Sequence, residues 1–301
     1  MPQIKSDFVW MNGTFKKWED SNIHITTHAL HYGSSVFEGI RCYKTKKGSA
    51  VFKLKEHVKR LFESAKIYRM EVPSNEEEIE KAIIQTIKKN NLDACYIRPL
   101  IYKSDGGMGL NPLDVNTDVS IIVWQWGSYL GEEEIDVKVS SWNRMAANTF
   151  PGLAKAGGNY INSQLAKMEA IIDGYAEAIM LNTKGFVSEG SGENIFLIKD
   201  NVIYTPNLSD MVLKGITRET IICIAKEKGF ILKEQTIPRE MLYIADELFF
   251  TGTAAEIVAI KSVDKIKIAD GKMGKITKAI KSEFMDRLKK GEPKEWFSFL
   301  K

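Results

Sequence analysis

The chain has 301 residues, 44% hydrophobic and 27% charged, a composition that fits a globular protein long enough for two cores. Its 42 basic and 39 acidic residues leave a net charge of +3, too balanced to argue for nucleic acid or a membrane surface as partner. No apolar run approaches the roughly 18 residues needed to span a bilayer, and the first ten residues, with Lys5, Asp7 and Trp10, are not expected to act as a secretory leader.

In chain order, residues 7–13 predict a strand that ends in an Asn12-Gly13 hairpin turn. Leu54, Val58, Leu61, Phe62, Ala65 and Tyr68 form a helical stripe within residues 54–70. Ser74, with Glu77 three residues later, predicts a capping box for a helix that turns Ile79, Ala82, Ile83 and Ile87 inward. Residues 95–102 and 118–126 read as buried strands. Residues 127–134, with two glycines and a run of acids, predict a linker. Beyond it Ile135, Val137 and Val139 alternate as in a strand, and Ile161, Leu165, Met168 and Ile172 mark a helix. Short strands follow at 177–183, 186–188 and 194–199, then a helix over 218–228 closed by Gly229, then strands at 230–237 and 247–251. A last helix covers 275–290, ahead of Trp296 and Phe297, for which only packing is expected. The pattern is two mixed α/β domains joined near residue 130.

Lys155 is the most informative residue. Ala154, Ala156, Gly157 and Gly158 surround it with little bulk, so a ligand could approach closely, and lysine forms imines with aldehydes. A surface lysine in a glycine loop is the alternative for this segment alone. Glu189 adds weight, standing among Ser188, Gly190, Ser191 and Gly192 just before an apolar strand. Gly215-Ile216-Thr217-Arg218 leads into a helix whose open N–H groups suit an anion, and Thr251-Gly252-Thr253-Ala254-Ala255-Glu256 offers backbone in the same way. Each also reads as an ordinary cap or turn. Arg60 has Glu56 and Glu63 nearby as surface partners. Alternation puts Tyr96 and Arg98 on one strand face, an arrangement suited to a carboxylate.

Rival readings carry less support. His24, His28 and His31 have helical spacing, but their neighbours look like strand and turn and no cysteine or acid completes a ligand set, so no metal is expected. Gly106, Gly107 and Gly109 do not form GxGxxG. Cys42, Cys95 and Cys223, odd in number and far apart in sequence, fit a reducing cytoplasm.

Together, these segments resemble the bacterial branched-chain amino-acid aminotransferases, members of the fold-type IV pyridoxal-phosphate enzymes. The likeness runs nearly the whole chain. It includes residues 28–33 and 36–41, Tyr96-Ile97-Arg98-Pro99, Gly107-Met108-Gly109-Leu110-Asn111-Pro112, Ser141-Trp142-Asn143-Arg144, and the segments around Lys155, Glu189, Thr217 and Thr253. The resemblance implies a mixed α+β fold with a smaller N-terminal α/β domain (1–127), an interdomain linker (128–134) and a larger C-terminal cofactor-binding domain (135–301). That second domain would have a barrel-like sheet, with the active site at the domain interface.

By the same resemblance, Lys155 is the catalytic lysine that bonds pyridoxal 5′-phosphate, Glu189 pairs with the pyridine nitrogen and Tyr160 hydrogen-bonds the ring's 3′ oxygen. Arg60, Ile216, Thr217 and Thr253 would hold the phosphate. Phe37, Gly39, Met108, Leu110, Trp126 and Tyr129 would line the substrate pocket, with Leu110 standing where bacterial relatives often carry valine. Arg98 and Tyr32 would meet glutamate's distal carboxylate, Tyr96 and the backbone N–H groups of Thr253 and Ala254 would take the α-carboxylate, and Ala255 would also belong to the substrate site. The implied partners are amino acids and 2-oxo acids, with no nucleic acid and no membrane. The implied assembly is a homodimer at minimum, or a homohexamer built as a trimer of dimers, in the cytoplasm. D-amino-acid aminotransferases and aminodeoxychorismate lyases share the lysine, the glutamate and the phosphate clamp, but Tyr96, Arg98 and the 107–112 loop speak against both. A cofactor-binding pseudo-enzyme is disfavoured by the intact Lys155 and Glu189.

Overall fold

The computed structural model describes residues 5–126 and 134–300. The expected linker therefore lies outside the described residues except for Glu134, as does Tyr129.

The chain divides into two units. The first takes residues 1–127, 154–158 and 287–301, the second 128–153 and 159–286. This differs from a single domain over 135–301, because two later segments join the first unit through backbone pairing. Ala156 bridges Val36, and strand Phe297–Phe299 pairs with Gly48–Phe52. The tail therefore has a defined place as a sheet edge.

In the first unit, β1 (Phe8–Met11) and β2 (Thr14–Lys17) make the expected hairpin, with Asn12 and Gly13 both at positive φ as a tight turn requires. Helix α1 (His28–Tyr32) precedes β3 (Ser35–Phe37), β4 (Ile40–Thr45) and β5 (Gly48–Phe52). Helices α2 (Leu54–Ile67) and α3 (Glu76–Lys89) lead to β6 (Cys95–Lys103) and β7 (Thr117–Trp124). The sheet runs β5-β4-β6-β7-β1-β2 from the C-terminal strand, with β3 also on β6. Leu61, Ile79, Ile83, Ile87 and Ile97 are fully buried in its core, each contributing about 1.5–3 kcal/mol before the entropy of ordering.

Two expectations change here. The capping box of α3 is Asn75 with Glu78, one residue beyond Ser74 and Glu77: Asn75 Oδ1 accepts from Glu78 N at 3.0 Å, and Glu78 Oε2 from Asn75 N at 2.9 Å. Cys42 and Cys95, distant in sequence, are directly opposed on β4 and β6, buried as free thiols.

In the second unit, β8 (Ile135–Val139) and α4 (Tyr160–Ile172) precede β9 (Glu177–Leu181), β10 (Val187–Gly190), β11 (Asn194–Lys199) and β12 (Val202–Thr205). Then come α5 (Ile216–Glu227), β13 (Ile231–Glu234), β14 (Glu247–Gly252), β15 (Glu256–Val263), β16 (Ile266–Lys267) and α6 (Lys275–Lys290). The mixed sheet is ordered β10-β9-β8-β15-β14-β11-β12-β13. Helix α4 buries Ser163, Ala166 and Ala170, while Ile161, Met168 and Ile172 of its apolar stripe are exposed. The small residues win because they let the helix lie close to β9. Among the described residues, no helix is long and apolar enough to cross a membrane.

Candidate active site

In the first unit, main-chain bonds fix Lys155. Its N–H donates to Ser64 Oγ at 3.0 Å, and its carbonyl accepts from Phe37 N at 3.0 Å. Its ammonium lies over the Phe37 ring, 5.2 Å from the centroid. Small neighbours are required at this point: a Cβ on Gly157 would stand 2.4 Å from Ser35 Oγ.

Arg60 is on the same helix as Ser64, but neither Glu56 nor Glu63 is its main partner. Glu38, fully buried, takes Arg60 Nε at 2.7 Å and Nη2 at 2.8 Å, and His57 Nδ1 at 2.7 Å. Burial alone raises the Glu38 carboxyl, but the Arg60 guanidinium and His57 outweigh it and hold it well below the usual carboxylate range. Burial lowers His57 despite that carboxylate, so a neutral ring donates through Nδ1.

The aromatic residues form one cluster. Tyr96 packs on Trp124 at 5.0 Å and on Trp126 at 4.4 Å. The Arg98 guanidinium lies 4.6 Å from the Phe37 centroid and 5.7 Å from that of Tyr96, so both side chains share the expected face. Gly39 is where Tyr96 comes closest: a Cβ there would fall 1.9 Å from its hydroxyl. Met108 and Leu110 are exposed on their loop and Tyr32 is exposed on α1. His28 Nε2 donates to the Gly109 carbonyl at 2.8 Å, pinning that loop to α1, and His31 bonds the Ile25 carbonyl.

The second unit holds the other expected residues. Glu189 lies within β10, its Oε1 2.7 Å from Arg144 Nη2. Its Oε2 accepts from Asn194 Nδ2 at 3.1 Å and Leu213 N at 2.9 Å. Asn194 also packs on Gly215, where a Cβ would stand 1.9 Å from its Oδ1. The carboxylate is thereby tied to the start of α5, which begins at Ile216 rather than Arg218 and puts Thr217 in its first turn. Gly215 caps it without a side-chain bond. Thr253, Ala254 and Ala255 form the turn between β14 and β15, and Tyr160 opens α4.

Sequence reasoning gave no role to Glu38, His57, Ser64, Arg144, Asn194 or Glu193. A signal existed for some: Glu38 is a lone acid in an apolar run, and His57, Arg60 and Ser64 share one helix stripe. Glu193 is buried, and that burial, followed by the Glu177 carboxylate, pushes it up to about 8 against Lys167 and the Gly192 N–H. The folded state thus keeps a proton that the unfolded chain releases near pH 4.5, so stability falls as pH rises from there through 8. Glu193→Gln removes this dependence. Chemical denaturation at pH 5 and pH 8 should show the variant gaining about 2–4 kcal/mol on the wild type between the two. An equal difference at both pH values would mean that Glu193 is not protonated in the fold.

The family described as Amino-transferase class IV matches residues 35–263. The chain is 51% identical over 289 residues to the branched-chain-amino-acid aminotransferase of Escherichia coli (strain K12), covering 94% of each. The crystal structure of the E. coli branched-chain amino acid aminotransferase matches with a TM-score of 0.96 at 48% identity, covering 99% of this chain and 100% of that one. The branched-chain amino acid aminotransferase from Thermobaculum terrenum, in its PLP-form, matches with a TM-score of 0.94 at 31% identity, again covering 99% of this chain and 100% of that one. Two-thirds or more of the chain is covered in each case, and on that likeness of sequence and fold this protein belongs to the class IV aminotransferase family.

Proposed function

We propose that the protein transfers amino groups between leucine, isoleucine or valine and 2-oxoglutarate, giving branched-chain 2-oxo acids and L-glutamate, with pyridoxal 5′-phosphate as cofactor. The observation that carries the reading is the pairing of two features in a chain half identical to a branched-chain aminotransferase. One is a lysine gripped by its main chain among small residues, the other a buried carboxylate held by Arg144.

The residues fit the cofactor. Lys155 offers an amine for its aldehyde, and Glu189 a buried acceptor for a protonated ring nitrogen. The uncapped N-terminus of α5, at Ile216 and Thr217, offers N–H groups to a phosphate dianion. When bound, the cofactor supplies a carbonyl that accepts the amino group and a ring that accommodates the electron pair left at Cα. Lys155 would carry the proton between Cα and the cofactor. Tyr160 would orient the ring through its 3′ oxygen, and Arg60 and Thr253 would complete the phosphate clamp, Arg60 with its plane set by Glu38.

Phe37, Gly39, Trp126, Met108 and Leu110 would bound the aliphatic side chain, and Tyr129 is assigned with them from the sequence. Tyr96 and the backbone N–H groups of Thr253 and Ala254 would receive the α-carboxylate, with Ala255 also assigned to the substrate site. Arg98, stacked between Phe37 and Tyr96, would take glutamate's distal carboxylate with Tyr32. Leu30, Tyr32, Met108 and Leu110 leave apolar side chains exposed, which supports a homodimer, or a hexamer of three dimers, in which Tyr32 and the 107–112 loop serve the neighbouring subunit. A cytoplasmic location accords with the free cysteines.

The test is an absorbance spectrum of the purified protein, titrated with L-leucine. A visible band that leucine converts to a near-ultraviolet one is expected. A band that ignores leucine but answers another amine would move the reading to a sister activity. No band after added pyridoxal phosphate would remove the cofactor.

A further inference from the structure

We infer that Ser64 is a positioning residue for the catalytic lysine, acting on the main chain of Lys155 through a helix whose place is locked by Glu38. This rests on the cofactor reading above. Ala154 and Ala156 are buried but offer only a methyl group each, and Gly157 and Gly158 offer no side chain, so main-chain bonds carry much of the work of fixing the lysine segment. On one side Phe37 N holds the Lys155 carbonyl, and Gly158 N bonds Gly33 O. On the other side the Lys155 N–H has Ser64 Oγ at 3.0 Å.

Ser64 is fully buried on α2. It stands in the same stripe as His57 and Arg60, beside the apolar face formed by Leu54, Val58, Leu61 and Ala65. Three hydrogen bonds from His57 and Arg60 converge on Glu38. The Glu38 N–H in turn donates to the Pro99 carbonyl on β6 at 3.0 Å. Two side chains one turn apart therefore stop α2 from rotating about its axis, and Ser64, the next residue along the stripe, inherits that fixed position. Lysine has four rotatable side-chain bonds, so its amine is only as well placed as the backbone it starts from.

The consequence is a split between covalent and non-covalent binding. Apo-protein mixed with pyridoxal 5′-phosphate reports the rate at which Lys155 attaches, by growth of the visible band. Pyridoxamine 5′-phosphate has no aldehyde, so its dissociation constant, read by tryptophan quenching, reports the rest of the site. Ser64→Ala should slow attachment about tenfold, as expected when a reacting group loses its orientation, and change the pyridoxamine phosphate dissociation constant less than about twofold. Ser64→Cys, close in size with a weaker acceptor, should fall between wild type and Ser64→Ala, and serves if the alanine variant does not fold.

Attachment at the wild-type rate in both variants would overturn the inference. So would equal losses of rate and pyridoxamine phosphate affinity, the pattern of a residue that only supports the fold. A wild-type protein that binds neither compound removes the cofactor reading itself, an outcome separate from either variant result.

Discussion

Lys155→Ala should lower turnover of leucine by about 10²–10⁴-fold or more, the range for loss of a positioned acid–base group. The side chain is held by its backbone between Ser64 and Phe37, with its ammonium over the Phe37 ring. Its buried polar neighbours are engaged elsewhere: His57 and Arg60 are committed to Glu38. A substitute at the same spot would have to come from solvent. The decisive measurement is therefore the half-reaction with leucine, followed spectroscopically with and without a small primary amine. Partial recovery by the amine in Lys155→Ala identifies proton transfer as the lost step. Activity within tenfold of wild type would take that role away from Lys155. The alanine protein should fold normally, because the hydrogen bonds that tie this residue to Ser64 and Phe37 are made by its main chain.

What the sequence revealed follows from the range of the forces involved. The hairpin at Asn12-Gly13, the stripes of α2 and α3 and the Gly229 stop of α5 are local, and their signals lie within a few residues. Local patterns also fail locally. Ser74 with Glu77 and Asn75 with Glu78 both satisfy the capping rule, and only backbone geometry chooses the second pair. In α4 the conspicuous apolar residues were a poor guide to the buried face, because the alanines permit closer approach. Lys155 and Glu189 were visible because small residues around a charged one are unusual.

Their supports were not visible, since these are pairings across long stretches of chain. Glu38 meets Arg60 22 residues away, and Arg144 meets Glu189 from a loop that follows β8. Cys42 and Cys95 become neighbours only when β4 and β6 pair. Arg60 shows the cost most plainly: its helix offered two acids, and the fold supplied a third that is better placed because it is buried.

Glu189→Gln carries the second large effect, in which stability and chemistry have to be separated. The substitution keeps an oxygen for Leu213 N or Asn194 Nδ2 but sets an amide against Arg144, whose side chain is only 7% exposed. Arg144 has little else: Nη1 reaches Ser163 Oγ at 3.3 Å, and Nε has no partner among the described residues. Leaving that cation uncompensated should cost about 3–5 kcal/mol, visible as a lower midpoint in denaturant before any cofactor is added. Turnover should fall by about 10²-fold or more, since the fixed charge offered to the ring nitrogen is gone. The double variant Glu189→Gln/Arg144→Met separates the two effects. Replacing the stranded cation with an apolar side chain should recover most of the stability, yet turnover should stay low, because no carboxylate returns. If the double variant recovers turnover along with stability, the work of Glu189 is to neutralise Arg144, and the electronic role belongs to another group.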